Sequence, residues 1–249
     1  MERITILALP RSGTTSLSSI FRFHSSKNEF LEKETIQKLT SYRLSPTFDQ
    51  IDINRFLVKR WEMSDMKVDA ASFNFLWPEI IDKAYPNMKY IYLLREPCAW
   101  IESFVSMLIY YYQLYGKNNM PQWMTNYGGV YSSNFNWTDL VRLAEDPSCK
   151  TSQLIFSDLL NLWIEENSAL LKFCNNKRVC YVETALISNS MARLASFAEV
   201  LDSTLCLESH ANKGKAKQYF LSDERKKYIL HQTTKIVREF KKRADEKSG

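Results

Sequence analysis

Apolar runs that do not alternate with polar residues recur along the chain. Residues 4–9 read Ile-Thr-Ile-Leu-Ala-Leu and stop at Pro10. Residues 88–94 read Met-Lys-Tyr-Ile-Tyr-Leu-Leu and stop at Arg95, residues 178–182 read Arg-Val-Cys-Tyr-Val, and a weaker run covers 66–71. Strands with both sides apolar suit a parallel sheet covered by helices on each face. Between these runs the spacing predicts helices over 73–85 (ended by Pro86), 99–115, 152–173, 190–201 and 222–243. The last opens on Ser222-Asp223-Glu224 and closes on Lys and Arg, the charge order a helix dipole favours. Strands alternating with helices predict an α/β fold with a mostly parallel sheet, here one domain over 1–249. Residues 116–150 depart from the pattern. Trp123, Tyr127, Tyr131, Phe135 and Trp137 stand there among Asn, Ser, Gly and Pro, which predicts a lid or an acceptor-side insertion.

Composition removes several classes. Hydrophobic residues make up 45% and charged residues 24% of 249, the balance of an ordinary globular chain. With 6 Gly and 7 Pro, long disordered or collagen-like stretches are excluded. The five cysteines include no CxxC pair and there are three histidines, so no zinc site and no disulfide framework is expected, and no metal. The net charge of +5 suits an anionic partner without specifying one. The longest aromatic and aliphatic run, 104–112, falls far short of the roughly 20 residues of a membrane helix. No signal peptide pattern opens the chain, so a cytoplasmic location and no membrane partner are expected.

The chemistry begins at Pro10-Arg11-Ser12-Gly13-Thr14-Thr15-Ser16, directly after the first strand and before a helical run. A strand–loop–helix junction of this kind aims backbone N–H groups at one point, a cradle for phosphate, and Arg11 adds a fixed cation. The Walker pattern G-x-x-x-x-G-K-[ST] is not met: with Gly13 as its second glycine, Ala8 stands at the first and Thr14 replaces the lysine. Triphosphate chemistry is therefore disfavoured within an otherwise P-loop nucleotide-binding-like arrangement. A second segment, Arg95-Glu96-Pro97 with Ser103 two helical turns on, follows the 88–94 strand at the sheet end where α/β folds bind ligands.

Taken together, the two segments resemble the sulfotransferases that use 3'-phosphoadenosine 5'-phosphosulfate (PAPS). There a P-[KR]-S-G-T-T loop holds the 5'-phosphosulfate and R-x-P-x-x-x-x-x-S holds the 3'-phosphate. Arg11, Ser12, Gly13, Thr14, Thr15 and Ser16 match the first, and Arg95, Pro97 and Ser103 the second. Two departures stand out. Val182-Glu183-Thr184 replaces the family's Tyr-Glu-Asp, and Ala211-Asn212-Lys213-Gly214-Lys215 is a loose counterpart of R-K-G-x-x-G-D-W-K. The resemblance nevertheless implies Lys213, Gly214 and Lys215 as 3'-phosphate contacts.

It further implies in-line transfer of a sulfuryl group, without metal, to a hydroxyl or amine, leaving adenosine 3',5'-bisphosphate. Arg11 would absorb charge on the leaving phosphate. A general base must then lie within reach of the acceptor. The resemblance points to Glu34, before Thr35, with Glu32 second and His24 a further candidate. A small soluble acceptor is expected, with no nucleic-acid partner: a specialised metabolite, for which a saxitoxin-type alkaloid would suit acids such as Glu32, Glu34 and Glu102. The alternatives are a P-loop-type small-molecule kinase and a non-catalytic nucleotide-binding module. The sequence sets no oligomeric state.

Overall fold

The computed structural model describes residues 2–44, 50–116, 142, 145, 146, 153–206 and 221–246. Two expectations fall outside that range: the lid or insertion over 116–150, apart from residues 116, 142, 145 and 146, and the basic stretch Lys213-Gly214-Lys215.

Five strands form one parallel sheet: β1 (Ile4–Leu7), β2 (Ser26–Lys27), β3 (Val68–Asp69), β4 (Lys89–Leu94) and β5 (Val179–Glu183). Their order is β2-β3-β1-β4-β5. Eight described helices accompany them: α1 (Thr14–Ile20), α2 (Glu32–Leu44), α3 (Gln50–Ser64), α4 (Pro78–Ala84), α5 (Pro97–Tyr115), α6 (Gln153–Phe173), α7 (Met191–Ala198) and α8 (Asp223–Glu246). Both faces of the sheet are buried, as the unbroken apolar runs require. Tyr90, Tyr92, Leu94, Val179 and Tyr181 point into the larger core, with residues of α3 to α6 and α8. Their neighbours Ile91, Leu93, Cys180 and Val182 point into the smaller one, with Leu17 and Ile20 of α1 and Leu194 of α7. Reversal of facing at each residue is the strand's period of two, here with an apolar partner on either side.

The structure adds or corrects several elements. The helix expected over 73–85 is a 3-10 turn, Asn74–Leu76, followed by α4. Pro78 has no N–H to donate and constrains Trp77 before it, so the helix can only restart there. Helix α5 begins two residues early because Pro97 fits its first position and the Glu96 carboxylate accepts from the Cys98 and Ala99 amides, at 3.1 and 2.6 Å. Helix α3 was not expected; Ile53, Leu57 and Trp61 recur every fourth residue and are buried, among mostly polar neighbours. Strand β2, two residues long, carries no readable pattern.

The strand order creates a switch point. The chain leaves β1 toward β2 and β3 on one side, and leaves β4 toward β5 on the other. Between the carboxyl ends of neighbouring β1 and β4, paired from Ile4–Lys89 to Leu7–Tyr92, a crevice opens. Both segments that the sequence singles out, at Arg11 and at Arg95, begin there.

Candidate active site

The loop after β1 is held in a conformation most residues avoid. Arg11 has φ 69° and Gly13 φ 102°. At Gly13 a side chain is excluded twice over: the backbone is left-handed, and a Cβ would meet Ile187 Cδ1 at 3.1 Å and Thr184 Cγ2 at 3.2 Å. Ser12 N–H donates to Leu9 O at 3.1 Å, closing the turn, and Leu17 N–H donates to Gly13 O at 3.1 Å, starting α1. Ser12 and Thr14 are buried. Thr15 and Ser16 are half-buried on the first turn of α1, where Thr15 Oγ1 accepts from Asn28 Nδ2 at 3.5 Å.

Arg95 and Ser103 reach this loop from the neighbouring strand and helix. Arg95 Nη1 donates to Arg11 O at 2.5 Å and to Ser103 Oγ at 3.3 Å. Arg11 Nε donates to the same Oγ at 3.4 Å. One buried hydroxyl therefore stands between two guanidinium groups, from segments 84 residues apart in sequence for the Arg11–Arg95 contact. Burial pulls both arginines below their usual range, and for Arg95 the charge of Arg11 adds to this. Both remain cations. Among the described residues no carboxylate lies within ion-pair distance of either. The charges of Glu96 and Glu102 act on Arg95 in the opposite sense, but neither acid is in contact with its guanidinium. Two adjoining, partly desolvated cations without a contacting anion are costly unless one completes them.

The sequence-predicted base residues separate in space. Glu34 is exposed on α2. Glu32, one turn's start earlier, is half-buried, and burial raises its carboxyl above the usual range. Burial raises the Tyr111 phenol above its usual range, the Glu32 charge adds to this and the Arg11 charge opposes it, so all three act on one region. His24 lies beyond the far end of α1, where Nε2 shares a 2.8 Å hydrogen bond with Thr204 Oγ1. Glu102 is buried and accepts from the Leu221 amide at 3.1 Å, with Lys226 Nζ at 3.6 Å, so it holds the chain that leads into α8, and its charge also acts on Arg95.

A third acid of the same 29–35 stretch, not ranked from the sequence, lies deeper. Glu29, just past β2, accepts from the Ser72 amide through Oε1 at 2.9 Å, while its Oε2 is buried with no hydrogen-bond partner. Burial pushes this carboxyl up to about 7, against the pull of Ser72 and helped by the charges of Glu32 and Asp69. Beside it, the buried Arg60 is wholly committed, to both oxygens of Asp69 and to Phe30 O at 2.9 Å. Nothing in the sequence distinguishes Glu29 from Glu32 or Glu34, because its burial depends on residues 60 to 74.

The profile of the sulfotransferase domain matches residues 1–146. Among solved structures, the chain is similar to a sulfotransferase from Alicyclobacillus acidocaldarius, with 11% identity and a TM-score of 0.53 over 98% of this chain and 96% of that one. It also aligns with the sulfotransferase domain from the curacin biosynthetic pathway, with 18% identity and a TM-score of 0.47 over 94% of this chain and 97% of the other. No curated protein matches it.

Proposed function

The chain belongs to the sulfotransferase family, and from that premise we propose that it moves the sulfuryl group of PAPS to a hydroxyl or amine of a small acceptor. The observation that carries the donor assignment is the meeting of Arg11 and Arg95 on Ser103, at the switch point, with no carboxylate among the described residues in contact with either guanidinium. A nucleotide with a phosphate at each end of its ribose supplies the missing charge.

When bound, the donor supplies an activated sulfuryl group whose departure leaves adenosine 3',5'-bisphosphate. Arg11 and the loop around Gly13 would hold the 5' end, and Arg95 with Ser103 the 3'-phosphate. Arg11 meets charge as it develops on the leaving phosphate, so its contribution is greatest in the transition state. Glu32 takes over from Glu34 as the residue that accepts the acceptor's proton. It is half-buried, its charge acts on the same Tyr111 phenol as that of Arg11, and its raised carboxyl is a stronger base than an exposed one. Replacing it (Glu32→Gln) should slow sulfate transfer to a panel of alcohols and amines while bisphosphate affinity holds; unchanged turnover would return the role to another carboxylate.

Calorimetry tests the donor. Adenosine 3',5'-bisphosphate should bind saturably, and ATP with magnesium should not compete. The opposite preference would make the chain a kinase-like binder, and bisphosphate binding with no transfer of labelled sulfate to any acceptor would make it a silent nucleotide module. No described helix is long and apolar enough to cross a membrane.

A further inference from the structure

Three successive carbonyls of the anion loop are each bonded by a side chain from elsewhere in the fold. Pro10 O accepts from Trp100 Nε1 at 2.7 Å, Arg11 O from Arg95 Nη1 at 2.5 Å, and Ser12 O from Thr184 Oγ1 at 2.7 Å. The peptide bonds here are trans. In a trans peptide the carbonyl of one residue and the N–H of the next point in opposite directions. Fixing these oxygens inward therefore turns the amides that follow them, those of Arg11 and Gly13 in particular, to the other side of the loop. Ser12 N–H is already taken by Leu9 O. Such bracing is needed because Arg11, a residue with a Cβ, sits at φ 69°, a region that costs about 1–2 kcal/mol without support.

We infer that Thr184 is a positioning residue for the 5' end of the donor, acting through the Ser12 carbonyl; this rests on the donor assignment above. Trp100 and Arg95 have further duties, in the core and at Ser103. Thr184 stands immediately past β5, and both arms of its side chain face the loop. The hydroxyl bonds Ser12 O, and the methyl lies 3.2 Å from the point a Gly13 Cβ would occupy. The residue type has a physical reason: a carboxylate at 184 would meet the Ser12 carbonyl as a second acceptor, whereas a hydroxyl donates to it.

Two variants and two nucleotides test this. Thr184→Val keeps shape and removes the donor; Thr184→Ser keeps the donor and removes the methyl. By calorimetry, Thr184→Val should weaken adenosine 3',5'-bisphosphate about 10-fold, the worth of one buried hydrogen bond, and leave adenosine 3'-monophosphate within about twofold. Thr184→Ser should recover most of the loss. Equal weakening of both nucleotides by Thr184→Val, or wild-type affinity for the bisphosphate, overturns the inference. Failure of the unaltered protein to bind either nucleotide overturns the donor assignment instead.

Discussion

Strand β4 carries a cation at each end, and the fold treats the two in opposite ways. At its start the Lys89 ammonium is buried, 2.6 Å from Glu199, 3.0 Å from Glu2 and 3.0 Å from the Phe197 carbonyl. Arg178, opening β5, adds a second cation to the same acids, at 2.7 Å from Glu2 and 3.5 Å from Glu199. Two positive and two negative groups cancel there. One residue past the other end, Arg95 meets a second guanidinium across a serine hydroxyl. A buried cation with its acids in contact is part of the architecture; for the pair that no described carboxylate touches, the proposed partner is a mobile anion. The same rule sorts the arginines near the site. Arg60 is as deeply buried as any residue yet is closed off by Asp69, so it is structural despite lying at the same end of the sheet.

If that contrast is correct, altering the two ends should produce different losses. Arg11→Ala removes half of the pair that no described carboxylate contacts. It should lower sulfate transfer about 100- to 1000-fold, the usual cost of one preorganised charge-stabilising donor, with urea unfolding little changed. A large stability loss with transfer preserved would mean the pair is structural after all.

The acid at this end gives the next largest effect. The Glu29 carboxyl titrates near 7 in the folded protein and at its ordinary 4.5 when unfolded. Between those values the folded protein keeps a proton that the unfolded chain has released, so stability falls as pH rises across the window and is flat above it. Glu29→Gln keeps an oxygen for the Ser72 amide and carries no charge. Its unfolding free energy should gain roughly 2–3 kcal/mol on wild type between pH 5 and pH 8. Parallel pH profiles for the two proteins would show that Glu29 ionises freely.

The smallest change is expected at the balanced end. Lys89→Met should cost about 1–2 kcal/mol, because lost charge-assisted bonds are partly offset by no longer burying an ammonium. Bisphosphate affinity should stay at the wild-type value, and a marked fall would show that the two ends of β4 are coupled.

How far the sequence could be read follows from how local each feature is. The runs 4–9, 88–94 and 178–182 announced three strands of a two-faced sheet, since burial on both sides leaves no polar alternation. Pro78 marked the break within 73–85, yet the spacing of apolar residues obscured it. Helix α3 was readable in Ile53, Leu57 and Trp61, but their polar surroundings diluted the signal. Strand β2 was too short to register.

Arg11, Gly13, Arg95 and Ser103 could be named from sequence because each follows a strand or begins a helix at a fixed offset, and chain geometry within a few residues dictates where such groups point. What the sequence could not order was anything set by distant neighbours. Glu29, Glu32 and Glu34 differ little as letters, and only the packing of residues 60 to 74 and of Tyr111 gives them three different environments. Thr184 joins Ser12 across 172 positions. Hydropathy and turn chemistry act along the chain and fixed the sheet and its anion loop; desolvation and hydrogen bonding act through space, and they alone decided which acid keeps its proton and which hydroxyl holds the loop.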